Sequence, residues 1–343
     1  MSNLTKTSAG PNGSTASPVS PVATRRTRGP RLSGVTWLIW RQHRAAYWTL
    51  LAATALSLAW IAYQRTGLMD YLAAHGWPDS PDKWLEGMGP YSAEFQKVGL
   101  GLGFIPILFG VFLGAPLLAG DLENGTAKLV TSQSVSPVRW LAAKLGISAL
   151  VVVVCTVALS VQFGWWFGLV KNADPGRGWS EGFVFDNTGP VPVALSLFTF
   201  VGGLAIGMLL RRTLLAMVVT FTFAVVVQVV WAYCRLDLGN IVTVATNKGI
   251  NAPPSGLPDG ALEIDRSYAT GSGESLGWST CAHEASETAR DACVQKADIV
   301  GWSVDYLPIS QMSGMQWFGA SILFALTAAV AVFIFMWGRK RLV

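Results

Sequence analysis

Residues 120–136 read GDLENGTAKLVTSQSVS and lie between two long apolar runs. Asp121 and Glu123 close the first run as an acidic corner, and Gly125 permits a sharp change of direction behind them. Thr126 can cap a short helix over Ala127–Thr131, whose Leu129 and Val130 form an apolar face. A short apolar-faced helix beside an acidic corner suits a groove on a soluble partner. The alternative is an ordinary connection that touches only lipid.

A second chemical cluster is CAHEASETARDAC, with Cys281 and Cys293 at its ends and a helix-forming stretch between. Outside a cell a disulfide persists, and closing so short a loop contributes about 3 kcal/mol in the chain-entropy account. His283 raises a metal site, but two further ligands at suitable spacing are missing, so no metal is expected. Cys234 can compete for a partner, and Cys155 falls mid-span as a packing residue.

Energy-transducing chemistry is missing from the sequence. It contains no G-x-x-x-x-G-K-[ST] phosphate loop, and GSGES at 271–275 lacks the lysine. There is no zinc-protease helix, no Gly-x-Ser-x-Gly elbow and no pair of intramembrane carboxylates. Ion relays need ionisable groups at membrane depth, and the apolar runs hold none. The chain is therefore read as a non-enzyme without a cofactor of its own, either passive or driven by another molecule.

The elements that position these residues follow from composition. About half of the 343 residues are hydrophobic and 13% are charged, which excludes an ordinary soluble domain. Six runs can each cross a hydrocarbon core of roughly 30 Å. They fall near 45–63, 98–119, 145–170, 191–210, 213–234 and 317–338, and none contains Asp, Glu, Lys or Arg. The expected fold is an all-α polytopic membrane protein with six transmembrane helices. Residues 1–35, rich in Ser, Thr, Pro and Gly, read as a disordered tail without a cleavable signal, and 36–343 as the membrane domain.

Charge sets the orientation. Residues 1–44, 120–144, Arg211-Arg212 and 339–341 hold 15 Lys/Arg against 2 Asp/Glu, whereas the other three loops hold 10 against 18. Positive loops stay inside, so both termini are expected in the cytoplasm of a plasma-membrane protein, with the large loop 235–316 outside. The basic balance then serves orientation and attraction to the lipid bilayer rather than nucleic acid. Only Arg211-Arg212 separates spans four and five, which predicts a tight turn.

Ahead of the first span, VTWLIWRQHR places Trp37, Trp40, Arg41 and Arg44 at helical spacing, the pattern of a helix in the headgroup layer. Pro106 and Pro116 predict an interrupted second span. Gly99/Gly103, Gly110/Gly114, Gly164/Gly168 and Gly203/Gly207, each four apart, predict close helix approach. Gln162 and Gln228 are read as interhelical hydrogen-bonders. Ser136 and Pro137 mark the third span's start. From there to Val170 the helix is roughly 50 Å long, so Arg139, Trp140 and Lys144 are expected to project beyond the membrane or snorkel to its edge. Trp302, Tyr306 and Trp317 around Pro308 read as an amphipathic segment on the outer leaflet.

The stretch LLAGDLENGTAKLVTSQSVSPVRWLAAKL resembles the loop after the second span of ABC-2-type transporter permeases. The likeness rests on Glu123, Gly125, Thr126, Leu129, Val135-Ser136, Arg139 and Lys144. TWLIWRQHR, the WGRKRL end, the two-cysteine loop, Tyr306-Leu307-Pro308 and Gln316-Trp317 are similar to the actinobacterial branch. Asp121 stands where the pattern usually has Glu, and Pro137 is inserted before Arg139. The resemblance implies an exporter subunit that binds a separate ABC ATPase subunit through this loop and the N-terminal helix. It also implies pairing as a homodimer or with a related permease subunit, and ATP bound by the ATPase partner. The coupling residues would be Asp121, Glu123, Gly125, Thr126, Leu129 and Arg139. A stand-alone secondary transporter, and a membrane sensor or assembly factor acting through the disulfide loop, are the competing readings.

Overall fold

The computed structural model describes residues 35–125, 136–173, 178–250 and 257–341. The first 34 residues, and with them nearly all of the expected tail, lie outside that set. Among the described residues, six helices are long and apolar enough to cross a membrane. The first is Val35–Ala74, the third Pro137–Ala173, the fourth Val191–Leu210, the fifth Thr213–Cys234 and the sixth Met312–Arg341. The second runs from Gly89 to Glu123 in pieces. Helix one is continuous over 40 residues, roughly 60 Å, so Trp37 to Arg44 form its opening turns, not a separate surface element.

The second span breaks where its prolines require it. A turn at Phe104 precedes Ile105–Leu108, a π-helical stretch follows over Phe109–Gly114, and Pro116 opens the final piece Ala115–Glu123. Neighbouring elements donate to carbonyls along this irregular backbone. Asn187 Nδ2 donates to Gly99 O at 2.8 Å, Gln228 Nε2 to Gly103 O at 2.7 Å and Thr199 Oγ1 to Pro106 O at 2.6 Å. Within a bilayer such carbonyls have no water to turn to, so these bonds hold the interrupted helix in place. Gln228 is thus the interhelical donor its position predicted.

Two of the four glycine pairs face each other. A Cβ on Gly114 would stand 2.4 Å from Phe200 O, and one on Gly207 2.3 Å from Ala115 O. Gly110 and Gly203 are similarly close to opposing backbone, whereas Gly103 and Gly168 border open space. Spans two and four therefore approach backbone to backbone, a contact that glycine permits. Between spans four and five the expected turn is present. Arg211 takes a left-handed conformation (φ 56°) and Arg212 is extended, so the chain reverses in two residues.

At the other end of the bundle, Phe95 stacks on Phe163 at 4.7 Å with Trp166, Phe167 and Phe183 around them. Gln316 Nε2 ties the sixth span to Phe185 O and Thr188 O at 2.9 and 3.1 Å. The loop between spans five and six holds an antiparallel sheet that the sequence reading lacked. Its strands are β1 (Val242–Ala245), β2 (Leu262–Thr270), β3 (Ser275–Gly277) and β4 (Ile299–Leu307), in the order β1-β4-β2-β3. Trp302 and Tyr306 belong to β4, not to a surface-lying amphipathic segment, and Trp302 packs on Tyr268 of β2 at 4.6 Å. A helix over Glu287–Lys296 fills the expected helical stretch. Cys281 and Cys293 are disulfide-bonded with Cα atoms 5.7 Å apart, while Cys155 and Cys234 are free.

A candidate coupling site where three spans converge

The second span ends on Asp121, Glu123 and Gly125, and the third begins at Pro137, where the Arg139 N–H donates to Ser136 Oγ at 3.3 Å. Ser136 is the cap its position predicted. Between them, Thr126 and Leu129, along with the expected short helix Ala127–Thr131, lie outside the described residues. Gly125 has φ +70°, the left-handed conformation that ends a helix and turns the chain. Arg139 is exposed on the first turn of span three.

Asp121 points into the bundle. Its carboxylate accepts from Lys144 Nζ of span three and, at 3.0 Å, from Gln42 Nε2 of span one. Lys144 Nζ also donates to Leu117 O at 3.0 Å, and the ammonium lies 5.0 Å from the Trp140 ring. Lys144 is 0% exposed and Trp140 3%. Of the three residues expected at the membrane's edge or beyond it, Trp140 and Lys144 turn into the bundle and only Arg139 is exposed. The reason is geometric. Asp121 and Lys144 lie at facing ends of adjacent helices, and a carboxylate and a carbonyl within reach draw the lysine inward. One turn deeper, Tyr47 OH and Ser148 Oγ share a hydrogen bond of 2.8 Å between spans one and three. His43 flanks the cluster with its Nε2 buried and unpartnered among the described residues.

Glu123 points outward and to the other side. Its Oε2 accepts the Thr213 N–H at 2.8 Å, the first residue of span five. A carboxylate there both satisfies an orphan N–H and meets the positive end of the helix dipole. So the two acids at the mouth of the loop grip different spans: Asp121 holds one and three, Glu123 holds five.

Of the aromatic-basic set, Arg41 lies over Trp37 at 5.2 Å and Trp40 packs on Tyr47 at 5.2 Å. Arg41 and Arg44 are exposed. Through Tyr47, whose hydroxyl meets Ser148 of span three, this end of the first helix reaches the same corner as Lys144. Sequence reasoning missed Gln42, His43 and the burial of Lys144. The available signal was that Lys144 and Asp121 bracket the loop with opposite charges in a region otherwise poor in acids. Among the described residues, no three His, Cys, Asp or Glu side chains converge to hold a metal.

The profile of the family described as "ABC-2 membrane transporter related" matches residues 51–235, more than half of the chain, and the chain belongs to that family. The match runs from within the first span through the fifth and includes Asp121, Glu123 and Lys144. No curated protein matches the chain, and no solved structure does. With six helices among the described residues long and apolar enough to cross a membrane, it is a multi-pass plasma-membrane protein, a permease of the ABC transport systems.

Proposed function

We propose that this chain is the membrane subunit of an ATP-driven exporter, and that a separate ATPase subunit docks on the loop joining spans two and three. In this reading both termini and this loop face the cytoplasm and the sheet faces outward, which the excess of Lys and Arg on one side supports. The chain binds no nucleotide itself; ATP belongs to the partner. A second copy or a related permease completes the transporter.

The observation that carries this reading is the wiring at the loop's mouth. A push on the loop would pull span one and span three through Asp121, Gln42 and Lys144, and span five through Glu123. A buried ion pair is a poor source of net stability, because desolvation consumes most of its attraction. Its value here is mechanical: it fixes the register in which a loop movement reaches two spans at once.

The test is copurification from native membranes, followed by reconstitution with the ATPase found. Glu123→Ala and Gly125→Pro should insert normally yet lose ATP-dependent flux. Normal transport by both variants would remove the loop from the mechanism. The buried Lys144–Asp121 pair, with His43 beside it, also supplies the ionisable groups that an ion-driven carrier needs. Flux in proteoliposomes under an ion gradient, without ATP or a partner, would favour that second reading.

A further inference from the structure

Far from the loop, a cavity of about 320 Å³ opens between the first half of span two, the short helix Gly182–Phe185 and the last turns of span five. One end carries a charged pair. Asp186 Oδ1 accepts from the Trp231 indole at 2.7 Å and its Oδ2 from Arg235 at 3.0 Å. The guanidinium packs over Gly182, where a Cβ would stand 2.6 Å from Nη1. The carboxylate oxygens are thus both engaged. The guanidinium is not: it has five N–H donors, makes this one hydrogen bond among the described residues, and its Nε is buried without an acceptor. Donor capacity exceeds acceptor capacity at this end of the cavity.

Asn187 also lines the cavity, its Nδ2 already donating to Gly99 O and Phe183 O. Much of the remaining wall is apolar or small, including Gly103, Phe104, Pro106 and Leu195, with Gln228 at the far end. Gln228 and Arg235 are separated by about 10 Å along span five, at 1.5 Å per residue. That span has 22 residues, roughly 33 Å of helix, which matches the hydrocarbon thickness. Arg235, the next residue, therefore sits at headgroup depth and the cavity descends beside the helix towards the membrane interior.

We infer that this cavity binds an acidic amphiphile, its phosphate or carboxylate on Arg235 and its chain along Phe104, Pro106 and Leu195. The inference goes beyond the exporter reading and does not depend on it. A resident bilayer lipid and a transported amphiphile share this chemistry.

The test uses the full chain purified in dodecyl maltoside, with no ATP and no second subunit, so its failure leaves the coupling reading untouched. Dodecyl phosphate is titrated against dodecyltrimethylammonium by native mass spectrometry. Dodecyl phosphate should bind one per chain. Arg235→Gln should weaken it about ten- to a hundredfold, the range for losing a charge-assisted hydrogen bond. Lys171→Gln, which removes an exposed cation at the end of span three, should change nothing. Gly103→Leu leaves the ion pair alone, meets nothing within 4 Å at its Cβ, and should fill the cavity and abolish binding. It also decides the matter if Arg235→Gln does not fold. Phosphatidylglycerol retained through detergent exchange marks a lipid site; its loss with dodecyl phosphate still binding marks a diffusible ligand. Equal binding of the cationic amphiphile, an equal loss in Lys171→Gln, or full binding by Gly103→Leu overturns the inference.

Discussion

Replacing Lys144 by Met keeps the unbranched stem but withdraws the ammonium, and leaves the Asp121 carboxylate buried without its counter-charge. Side-chain exposure is 0% for Lys144 and 9% for Asp121, so water cannot make up the loss. Breaking a buried pair from one side costs about 3–5 kcal/mol, whereas replacing both partners by apolar groups of similar volume is often close to neutral. Lys144→Met alone should therefore lower unfolding stability by about 3–5 kcal/mol, and the Asp121→Leu/Lys144→Met double variant should return to within about 1 kcal/mol of the parent. The coupling is read from a double-mutant cycle, with SDS-induced unfolding in mixed micelles followed by tryptophan fluorescence. A wild-type unfolding curve for Lys144→Met would refute the reasoning, as would a double variant that costs the sum of its singles. The same double variant separates stability from mechanism. If the pair transmits loop movement, this stable protein should still lose transport.

Other expectations follow from single sites. Gly207→Ala drives a methyl into the Ala115 carbonyl and should cost about 1–3 kcal/mol, while Gly168→Ala, in open space, should be neutral or slightly stabilising; equal behaviour in thermal melts would contradict the observed span two–span four contact. Reducing Cys281–Cys293 removes a cross-link between residues 12 apart and should weaken the surrounding segment by about 3 kcal/mol, visible as faster proteolysis confined to residues 257–307. Burial raises the Asp186 carboxyl above its ordinary 3.8, against the opposing pull of Arg235 and Trp231. The folded state then holds this proton more tightly than the unfolded chain does. Stability should fall as pH rises from 3.8 through the raised folded value, and this component of the slope should vanish in Asp186→Asn.

Much of the architecture is written locally. Six apolar runs of membrane length, the Ser136-Pro137 start and the two basic residues between spans four and five each act within a few residues. They could therefore be read without knowing what packs against them. The disulfide was legible for the same reason: its cysteines are close in sequence on a helix-forming stretch. The sheet was less so. Strand β4 does alternate, with Val300, Trp302, Val304 and Tyr306 at period two, but its aromatics also fit a membrane-surface pattern, and β2 carries charges that disguise it.

What only the tertiary structure decided is which polar groups meet. Asp121 finds Gln42 across 79 residues and Lys144 across 23, and Glu123 caps a helix 90 residues away. No spacing rule encodes such choices, because they depend on which faces neighbouring helices turn to one another. That facing is set partly at Gly110, Gly114, Gly203 and Gly207, where spans two and four approach backbone to backbone. The sequence marked these glycines as able to permit close approach, but their pairing with each other is a property of the packed bundle.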